Sequence, residues 1–138
     1  MEGKPIKNSQ KIKKGNQVMI TEDYVSFETA KLLKEKGFDA RECQNSPRYY
    51  YNTDGQFSGP SWDTEYTAPT LQMAMKWLRE VHHLYVWISY NFNHTGLPWY
   101  YEIFDIKNRK VVKIGGVECG SYEKTCEIAI EECLKNLI

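Results

Sequence analysis

The strongest pattern in the chain is an alternation over residues 84–92, LYVWISYNF. One set of alternate positions is Leu84, Val86, Ile88, Tyr90 and Phe92, and the other is Tyr85, Trp87, Ser89 and Asn91. A period of two predicts a β-strand. After a loop at 93–98, NHTGLP, the stretch WYYEIFDI predicts a returning strand, and VVKIGGV predicts a third strand beyond a turn at 107–110. Connections this short join antiparallel neighbours, so the sequence predicts a three-stranded antiparallel sheet.

A first helix is predicted at about 27–36, because both of its ends carry recognisable signals. Ser26 is a suitable N-cap, and Glu28 lies in the first turn, where the helix dipole favours an acid. Gly37 supplies a residue that adopts the left-handed conformation, and Phe38 follows it as in a Schellman ending. The side chains predicted to face inward are Phe27, Ala30 and Leu33.

Two further helices are predicted from apolar positions at helical spacing. Pro69 suits the first turn of the second helix, and Ser121 is the expected N-cap of the third. The predicted inward positions of the second helix are Leu71, Ala74, Met75, Leu78 and Val81. Those of the third helix are Tyr122, Cys126, Ala129, Ile130, Cys133 and Leu137.

Together with a hairpin predicted from RYYYNTDGQFSG at 48–59, the elements follow the order α-β-β-α-β-β-β-α. This order predicts an α+β fold in which helices pack on an antiparallel sheet. We expect one domain over residues 19–138. Residues 1–18 contain five lysines and one glutamate and show no apolar period, so we expect a disordered, lysine-rich tail.

The composition narrows the class of protein. Lys plus Arg and Asp plus Glu both number 18, so the whole chain has no net field that would attract nucleic acid or membrane. No apolar run approaches the roughly 20 residues that span a bilayer, and no apolar segment follows the N-terminal lysines as in a secretory signal. We therefore expect a cytoplasmic protein without a membrane partner.

The four cysteines do not form a metal-binding or disulfide pattern. Cys43, Cys119, Cys126 and Cys133 lack CxxC spacing, and a cytoplasmic location favours reduced thiols. We expect them to be small buried side chains. Cys119, just before a helix N-terminus, is the most exposed candidate thiol and the best candidate nucleophile among them.

A hydrolase is a further alternative, since the histidines offer a partial catalytic set. His94 together with His82 or His83 needs a carboxylate, Glu80 or Glu102, to complete a zinc site. The simpler interpretation is a helix end at His82 and His83 and a loop at His94. We expect no cofactor and no metal, and we expect no enzymatic activity.

Aromatic residues are the remaining positive signal. Neighbouring side chains along a strand point to opposite faces, so the aromatic runs cannot all face one core. Exposed Tyr and Trp suit recognition of another surface. The predicted binding residues are Tyr49, Tyr51, Tyr85, Trp87, His94, Trp99 and Tyr101.

Two resemblances bear on function. YVSFETAKLLKEKGFD, APTLQMAMKWLREVHH and YEKTCEIAIEECLKNLI resemble segments of small proteins without an assigned activity from Bacteroides-like gut bacteria and their phages or prophages. The likeness covers residues 19–138 and implies a source rather than a mechanism.

The order of the last five elements, helix, three strands and helix, resembles the double-stranded-RNA-binding domain, which implies RNA recognition through a loop placed like NHTGLP. Here the loop order is His94, Gly96, Pro98, which departs from that family. The family also carries a lysine cluster at the start of its last helix, whereas this chain has Lys124 between Glu123 and Glu127.

The leading hypothesis is a small protein-interaction module that recognises a protein partner or a second copy of itself through aromatic sheet and loop surface. The first alternative is a nucleic-acid-binding protein that uses the lysine tail and the NHTGLP loop. The second is a metal-dependent or cysteine-dependent hydrolase.

Overall fold

The computed structural model describes residues 12–14, 17–39, 48–61 and 65–138. The chain divides into two compact units, Met1–Thr70 and Leu71–Ile138, where the sequence predicts one domain over 19–138. The first unit contains one described α-helix and the second contains two, and each unit has its own three-stranded antiparallel sheet. Each unit therefore brings together its own apolar side chains. The two units are described separately below.

The first unit begins with a hairpin inside the predicted tail. Strand β1, Ile12–Lys14, pairs antiparallel with β2, Gln17–Met19. The expectation of a disordered tail over residues 1–18 stays a prediction, with this hairpin as the described part of that segment. The missed signal is the pair Gly15-Asn16 between two short segments, a sequence that favours a two-residue hairpin connection. Residues 1–11 lie outside the described part of the chain.

Helix α1, Phe27–Glu35, has both predicted end signals. The Ser26 hydroxyl oxygen accepts a hydrogen bond from the backbone N–H of Thr29 at 3.2 Å. Gly37 has φ 93°, and the N–H of Phe38 donates to the carbonyl of Leu33 at 2.9 Å, as in a Schellman ending. Ala30 and Leu33 are buried as predicted, and Phe27 is half-buried.

The sheet of the first unit has the order β4-β3-β5 and is antiparallel. Its strands are β3, Arg48–Tyr51; β4, Phe57–Ser61; and β5, Tyr66–Thr67. The predicted hairpin is β3 and β4. Asn52 holds its turn, because the Oδ1 atom accepts from the N–H groups of Asp54 and Gln56 at 2.9 and 3.0 Å.

The second unit contains helix, three strands and helix in the predicted order. These are α2, Leu71–His82; β6, Leu84–Tyr90; β7, Trp99–Asp105; β8, Lys110–Cys119; and α3, Tyr122–Glu132, which continues as a π-helical turn, Cys133–Leu137. The sheet order is β6-β7-β8, and both pairings are antiparallel. The α+β prediction is confirmed.

One face of this sheet packs against both helices. Val86 lies opposite Ile103 in the β6–β7 pair, and both are buried. The side chains of the helices that complete this core are Leu71, Ala74, Met75, Leu78, Cys126, Ala129, Ile130, Cys133 and Leu134. One predicted inward position is wrong, since Val81 is exposed near the end of α2. Leu137 is half-buried, and Leu134 is fully buried although it was not predicted, because the π-helical turn shifts the helical phase.

Candidate functional site

The opposite face of the β6–β7–β8 sheet presents aromatic side chains to solvent. Leu84 and Val86 point toward the helices, so Tyr85 and Trp87 point away from them. Tyr85 lies directly opposite Phe104 on β7, with their ring centroids 6.1 Å apart. Trp87 is diagonal to Phe104, at 5.9 Å. Three rings from two strands therefore form one cluster.

Aliphatic side chains extend this cluster along the sheet and into the next turn. Val111 on β8 lies opposite Phe104, and Ile114 lies opposite Glu102, whose side chain shares the face. Together these residues line or flank a shallow apolar groove of about 490 Å³. We call this surface the aromatic face and define it by Tyr85, Trp87, Phe104, Ile106, Val111 and Ile114.

The turn between β7 and β8 fixes the charges at one end of the groove. The Asp105 carboxylate accepts from the N–H groups of Lys107 and Asn108 at 3.1 and 3.0 Å, and from the Asn108 side-chain amide at 2.7 Å. The bonds from Asn108 are the main reason that the pKa of Asp105 is lowered from its ordinary value. The Asp105 carboxylate is thus hydrogen-bonded within the turn, while the basic side chains of Arg109 and Lys110 line the groove.

Two predicted binding residues, Tyr85 and Trp87, belong to the aromatic face. Trp87 is 49% exposed, a large value for so apolar a side chain. The alternation along β6 is sufficient to separate the two faces of that strand and so to predict both residues. The structure adds that they meet Phe104 across the sheet.

Two other predicted binding residues, Tyr51 and Tyr101, are buried, so their assignment to an exposed surface is wrong. Tyr51 belongs to the core of the first unit, where its hydroxyl donates to the carbonyl of Val25 at 2.7 Å. Tyr101 lies over Gly115, its partner on β8. Burial raises the pKa of Tyr101, and nearby Glu132 adds to the effect. Both tyrosines are therefore core residues whose hydroxyl groups are buried with their rings.

The remaining three predicted residues do not join the aromatic face. Tyr49 stacks on Phe57 in the first unit, with centroids 5.4 Å apart. Trp99 packs edge-on against Tyr90 at 4.9 Å. His94 is exposed in the loop between β6 and β7, where its backbone N–H donates to the carbonyl of Asn91.

The thiols of the second unit are all buried. Cys119 is among them, so its prediction as the most exposed thiol is wrong; it ends β8 on the inner side of the sheet. Burial raises the pKa of Cys126 and of Cys133 to about 12, since a thiolate loses its hydration there. The prediction that the cysteines are buried is confirmed for these three, and Cys43 lies outside the described residues. Their reduced state stays a prediction.

The histidines lie at a helix end and in a loop, as the simpler interpretation predicts. His82 is the last residue of α2, with its ring 4.7 Å from that of Trp77. His83 follows in the left-handed conformation, at φ 59°. Within the residues that the structure describes, no three His, Cys, Asp or Glu side chains form a group that could hold a metal ion.

Sequence reasoning missed Phe104, Ile106, Val111 and Ile114. The alternation along WYYEIFDI separates Phe104 from the buried pair Tyr101 and Ile103, but it does not say which face meets the helices. Register was the missing information. Two register shifts between β7 and β8 move the apolar positions of β8 relative to a simple alternation.

The nucleic-acid hypothesis stays a prediction. Lys4, Lys7 and Lys11 lie outside the described residues, and Lys124 is exposed at the start of α3. No described helix is long and apolar enough to cross a membrane. No protein-family model, curated protein or solved structure matches this chain. Both resemblances noted above therefore stay predictions as well.

Proposed function

We propose that this protein is a non-enzymatic protein-interaction domain that binds a partner through the aromatic face. The observation that carries the proposal is the contiguity of that face: the rings of Tyr85 and Trp87 each lie about 6 Å from the Phe104 ring on the neighbouring strand, and Ile106 and Val111 line the same groove. Exposed apolar patches rimmed by polar side chains mark interaction sites in soluble proteins.

The free energy of burying exposed aromatic side chains favours binding at the same surface. Fully burying one large apolar side chain stabilises a complex by about 1.5–3 kcal/mol, and Trp and Tyr are enriched among residues that dominate binding energy. Trp87 and Tyr85 are already exposed on the surface, and strand β6 fixes the backbone of both residues. A partner therefore orders little of the backbone when it covers them.

The charges around the face indicate the chemistry of the partner. Arg109 and Lys110 line one end of the groove, and Glu102 lies on the same face beside Trp87 and opposite Ile114. The complementary surface has an apolar centre, an acidic side chain that meets the cations, and a basic or amide group that meets Glu102.

We further propose a cytoplasmic location. The three cysteines of the second unit, Cys119, Cys126 and Cys133, are free thiols. Reduced cysteines are the usual state in the cytosol, where glutathione and thioredoxin keep disulfides open.

The test compares two variants that make the same change on different surfaces. Val111 on the aromatic face is 49% exposed, and Val81 on α2 is 54% exposed. Each is replaced by lysine, and wild-type, Val111→Lys and Val81→Lys proteins are immobilised and incubated with an extract of cells that express the chain, once with and once without nuclease treatment. Captured proteins are identified by mass spectrometry.

The proposal expects a protein that is captured by the wild type and by Val81→Lys, resists nuclease, and is lost with Val111→Lys. Equal capture by all three proteins would overturn the assignment of the face. Capture that disappears on nuclease treatment would instead support the nucleic-acid alternative, because RNA or DNA would then bridge the proteins.

A further inference from the structure

The free edge of β6 is a second surface of the same sheet. Among the described strands, β6 pairs only with β7, so its other side is an edge. A groove of about 260 Å³ runs beside it, lined by the four consecutive residues 85–88 and by side chains that include Gln72 and Arg79 of α2. Consecutive strand residues point to opposite faces, so a groove that contacts all four follows the edge itself.

The hydrogen bonds at the two ends of β6 show which backbone groups point outward. Ile106 N–H donates to the His83 carbonyl at 3.0 Å, and Asn91 N–H donates to the Pro98 carbonyl at 2.8 Å. Both bonds involve odd-numbered residues, His83 and Asn91. Hydrogen-bonded and non-hydrogen-bonded pairs alternate along an antiparallel pair of strands, so the odd-numbered residues of β6 are the ones that bond to β7. The residues whose N–H and C=O groups face the free edge are therefore Leu84, Val86, Ile88 and Tyr90.

The two edges of the sheet differ in their protection. Strand β8 has two register shifts against β7 and carries exposed Lys110 and Lys113. Bulges and lysines are devices that prevent edge strands from pairing with other chains. Strand β6 pairs with β7 over all seven residues without a shift and contains no charged residue and no proline. Among the described strands, none pairs with its free edge.

We propose that β6 pairs antiparallel with the β6 strand of a second copy of this chain. Full overlap of the two strands places the twofold axis at Trp87. Val86 of each copy then lies opposite Ile88 of the other, and Leu84 lies opposite Tyr90. All of these residues expose their backbone groups to the edge, so the dimer gains roughly eight main-chain hydrogen bonds.

The sequence of β6 is self-complementary in this arrangement. No position places like charges together, and the two Trp87 side chains form a cross-strand aromatic pair on the outer face, which is favourable in sheets. Tyr85 of each copy meets Ser89 of the other. A charged extended peptide has no such match along the strand itself, which is why a second copy is the preferred occupant.

The dimer extends the proposed function without depending on it. Antiparallel pairing at one edge joins two three-stranded sheets into one of six strands, and the aromatic faces of both copies lie on the same side. The partner surface then becomes twice as long and symmetric. A partner with two matching sites would gain affinity through avidity.

The first test uses a disulfide at the axis. In the proposed register, the two residues at position 87 form a pair without mutual hydrogen bonds, with Cα atoms about 4.5 Å apart, which is within the range for a disulfide. Trp87→Cys protein is expected to form a covalent dimer under mild oxidation. The control Tyr85→Cys lies on the same face, but its two copies are about 13 Å apart along the strands. It is expected to stay monomeric on a non-reducing gel, as is the wild type.

A second variant keeps Trp87 in place, in case its loss weakens the dimer. Tyr85→Cys combined with Ser89→Cys brings each new thiol opposite its counterpart in the other copy, and the two single variants are the controls. The register is supported if the double variant forms a covalent dimer and neither Tyr85→Cys nor Ser89→Cys does. It would be overturned if those two controls crosslink as much as the double variant, or if both Trp87→Cys and the double variant fail to crosslink.

The third test changes the edge and leaves the aromatic face intact. The N–H of Ile88 faces outward, so Ile88→Pro removes a donor from the free edge and no hydrogen bond to β7. Ile88→Thr shortens the side chain but keeps the N–H. By sedimentation velocity, Ile88→Pro is expected to raise the dimer dissociation constant about tenfold or more, and Ile88→Thr by much less.

The outcomes separate this inference from the proposed function. A monomeric wild type at every concentration overturns the dimer and leaves the Val111→Lys comparison to decide the face. A dimer that resists Ile88→Pro but dissociates on Val111→Lys also overturns the edge pairing, and assigns self-association to the aromatic face. An Ile88→Pro protein that keeps its circular dichroism spectrum shows that loss of the dimer is not loss of the fold.

Discussion

His83 shows how one residue ends a helix at a conformational cost. It follows α2 with φ 59°, in the left-handed region where side chains other than glycine are disfavoured by about 1–2 kcal/mol. It also separates the helix from β6 by a single residue, and its carbonyl accepts the bond from Ile106 N–H that extends the β6–β7 pairing. The role of His83 is therefore to adopt the left-handed backbone conformation, and this role does not use its imidazole ring.

The matched pair His83→Gly and His83→Ala tests this interpretation. Both variants remove the imidazole, but only glycine relieves the left-handed strain. We expect the glycine variant to be more stable than the alanine variant by about 1 kcal/mol in urea denaturation. Equal stabilities would mean that the backbone at this position does not carry the strain.

Gly115 is required by close approach rather than by its dihedral angles. A Cβ at this position would lie 2.6 Å from the Tyr101 hydroxyl oxygen and 2.8 Å from its Cζ atom. Gly115→Ala is therefore expected to destabilise the protein by about 1–3 kcal/mol, the usual cost of overpacking. In a Tyr101→Leu background the same change should cost much less. An unchanged cost in that background, measured by urea denaturation, would place the conflict elsewhere.

At the residue scale, helix caps could be predicted from the sequence, whereas the burial of individual tyrosines could not. Ser26, Gly37 and Ser121 were assigned correctly because capping is local and leaves a signal at fixed positions. Tyr51 and Tyr101 were misassigned because a Tyr can bury its ring and still satisfy or shelter its hydroxyl. Their location depends on partners distant in sequence, which no local pattern contains.

At the scale of elements, α3 is the clearest case of a helix whose two ends differ. Its start is capped, since the Ser121 hydroxyl oxygen accepts from the N–H of Lys124 at 3.0 Å. Its end passes directly into the π-helical turn Cys133–Leu137, which brings Cys133 and Leu134 into the core. Sequence periodicity predicts the capped end well and misses the change of phase, because a π turn has no strong local signal.

The cap of α3 can be tested by one pair of substitutions. Ser121→Ala removes the acceptor and is expected to lower the free energy of unfolding by about 1 kcal/mol. Ser121→Asp keeps an acceptor and adds a negative charge at the helix N-terminus, so it should retain most of the stability. Thermal or urea denaturation measures both. Equal losses in the two variants would show that Ser121 does not act as a cap.

The buried thiols of α3 and its π-helical turn predict a loss of stability at high pH. An unfolded thiol ionises near pH 8.5, whereas the folded pKa of Cys126 and of Cys133 is about 12. Between these values the folded chain holds more protons than the unfolded chain, so stability falls as pH rises from about 9 toward 12. Urea denaturation at pH 7 to 10.5 measures this decline.

The control for the alkaline decline is the double variant Cys126→Ala with Cys133→Ala. It starts from a lower stability because it leaves cavities, but its dependence on pH should be shallower than that of the wild type. Tyr101 and Tyr122 also have raised pKa values, so some decline above pH 10 remains. Parallel curves for the two proteins would contradict the contribution of the thiols.

At the scale of the whole molecule, the fold class and the order of helices α1, α2 and α3 and of strands β3, β4, β6, β7 and β8 could be predicted from local periodicity and caps. The division into two units and the composition of the aromatic face could not. Both depend on sheet register and on which side of each strand meets a helix. Val111 and Ile114 are three residues apart, and they share the face only because a register shift lies between Phe104 and Ile103 in the β7–β8 pair. Such shifts arise from packing across the sheet rather than from either strand alone.

The central claim is that a protein partner covers the aromatic face, and a photo-crosslinker in that face tests it most directly. Benzoylphenylalanine replaces Phe104 in one protein and Phe92, which is 81% exposed in the β6–β7 loop, in the other. Irradiation of cells producing each protein is followed by gel analysis and mass spectrometry. The account predicts a discrete protein crosslink from position 104 that is absent from position 92 and disappears when Val111→Lys is added. Identical patterns from both positions, or crosslinks from position 104 to nucleic acid alone, would contradict it.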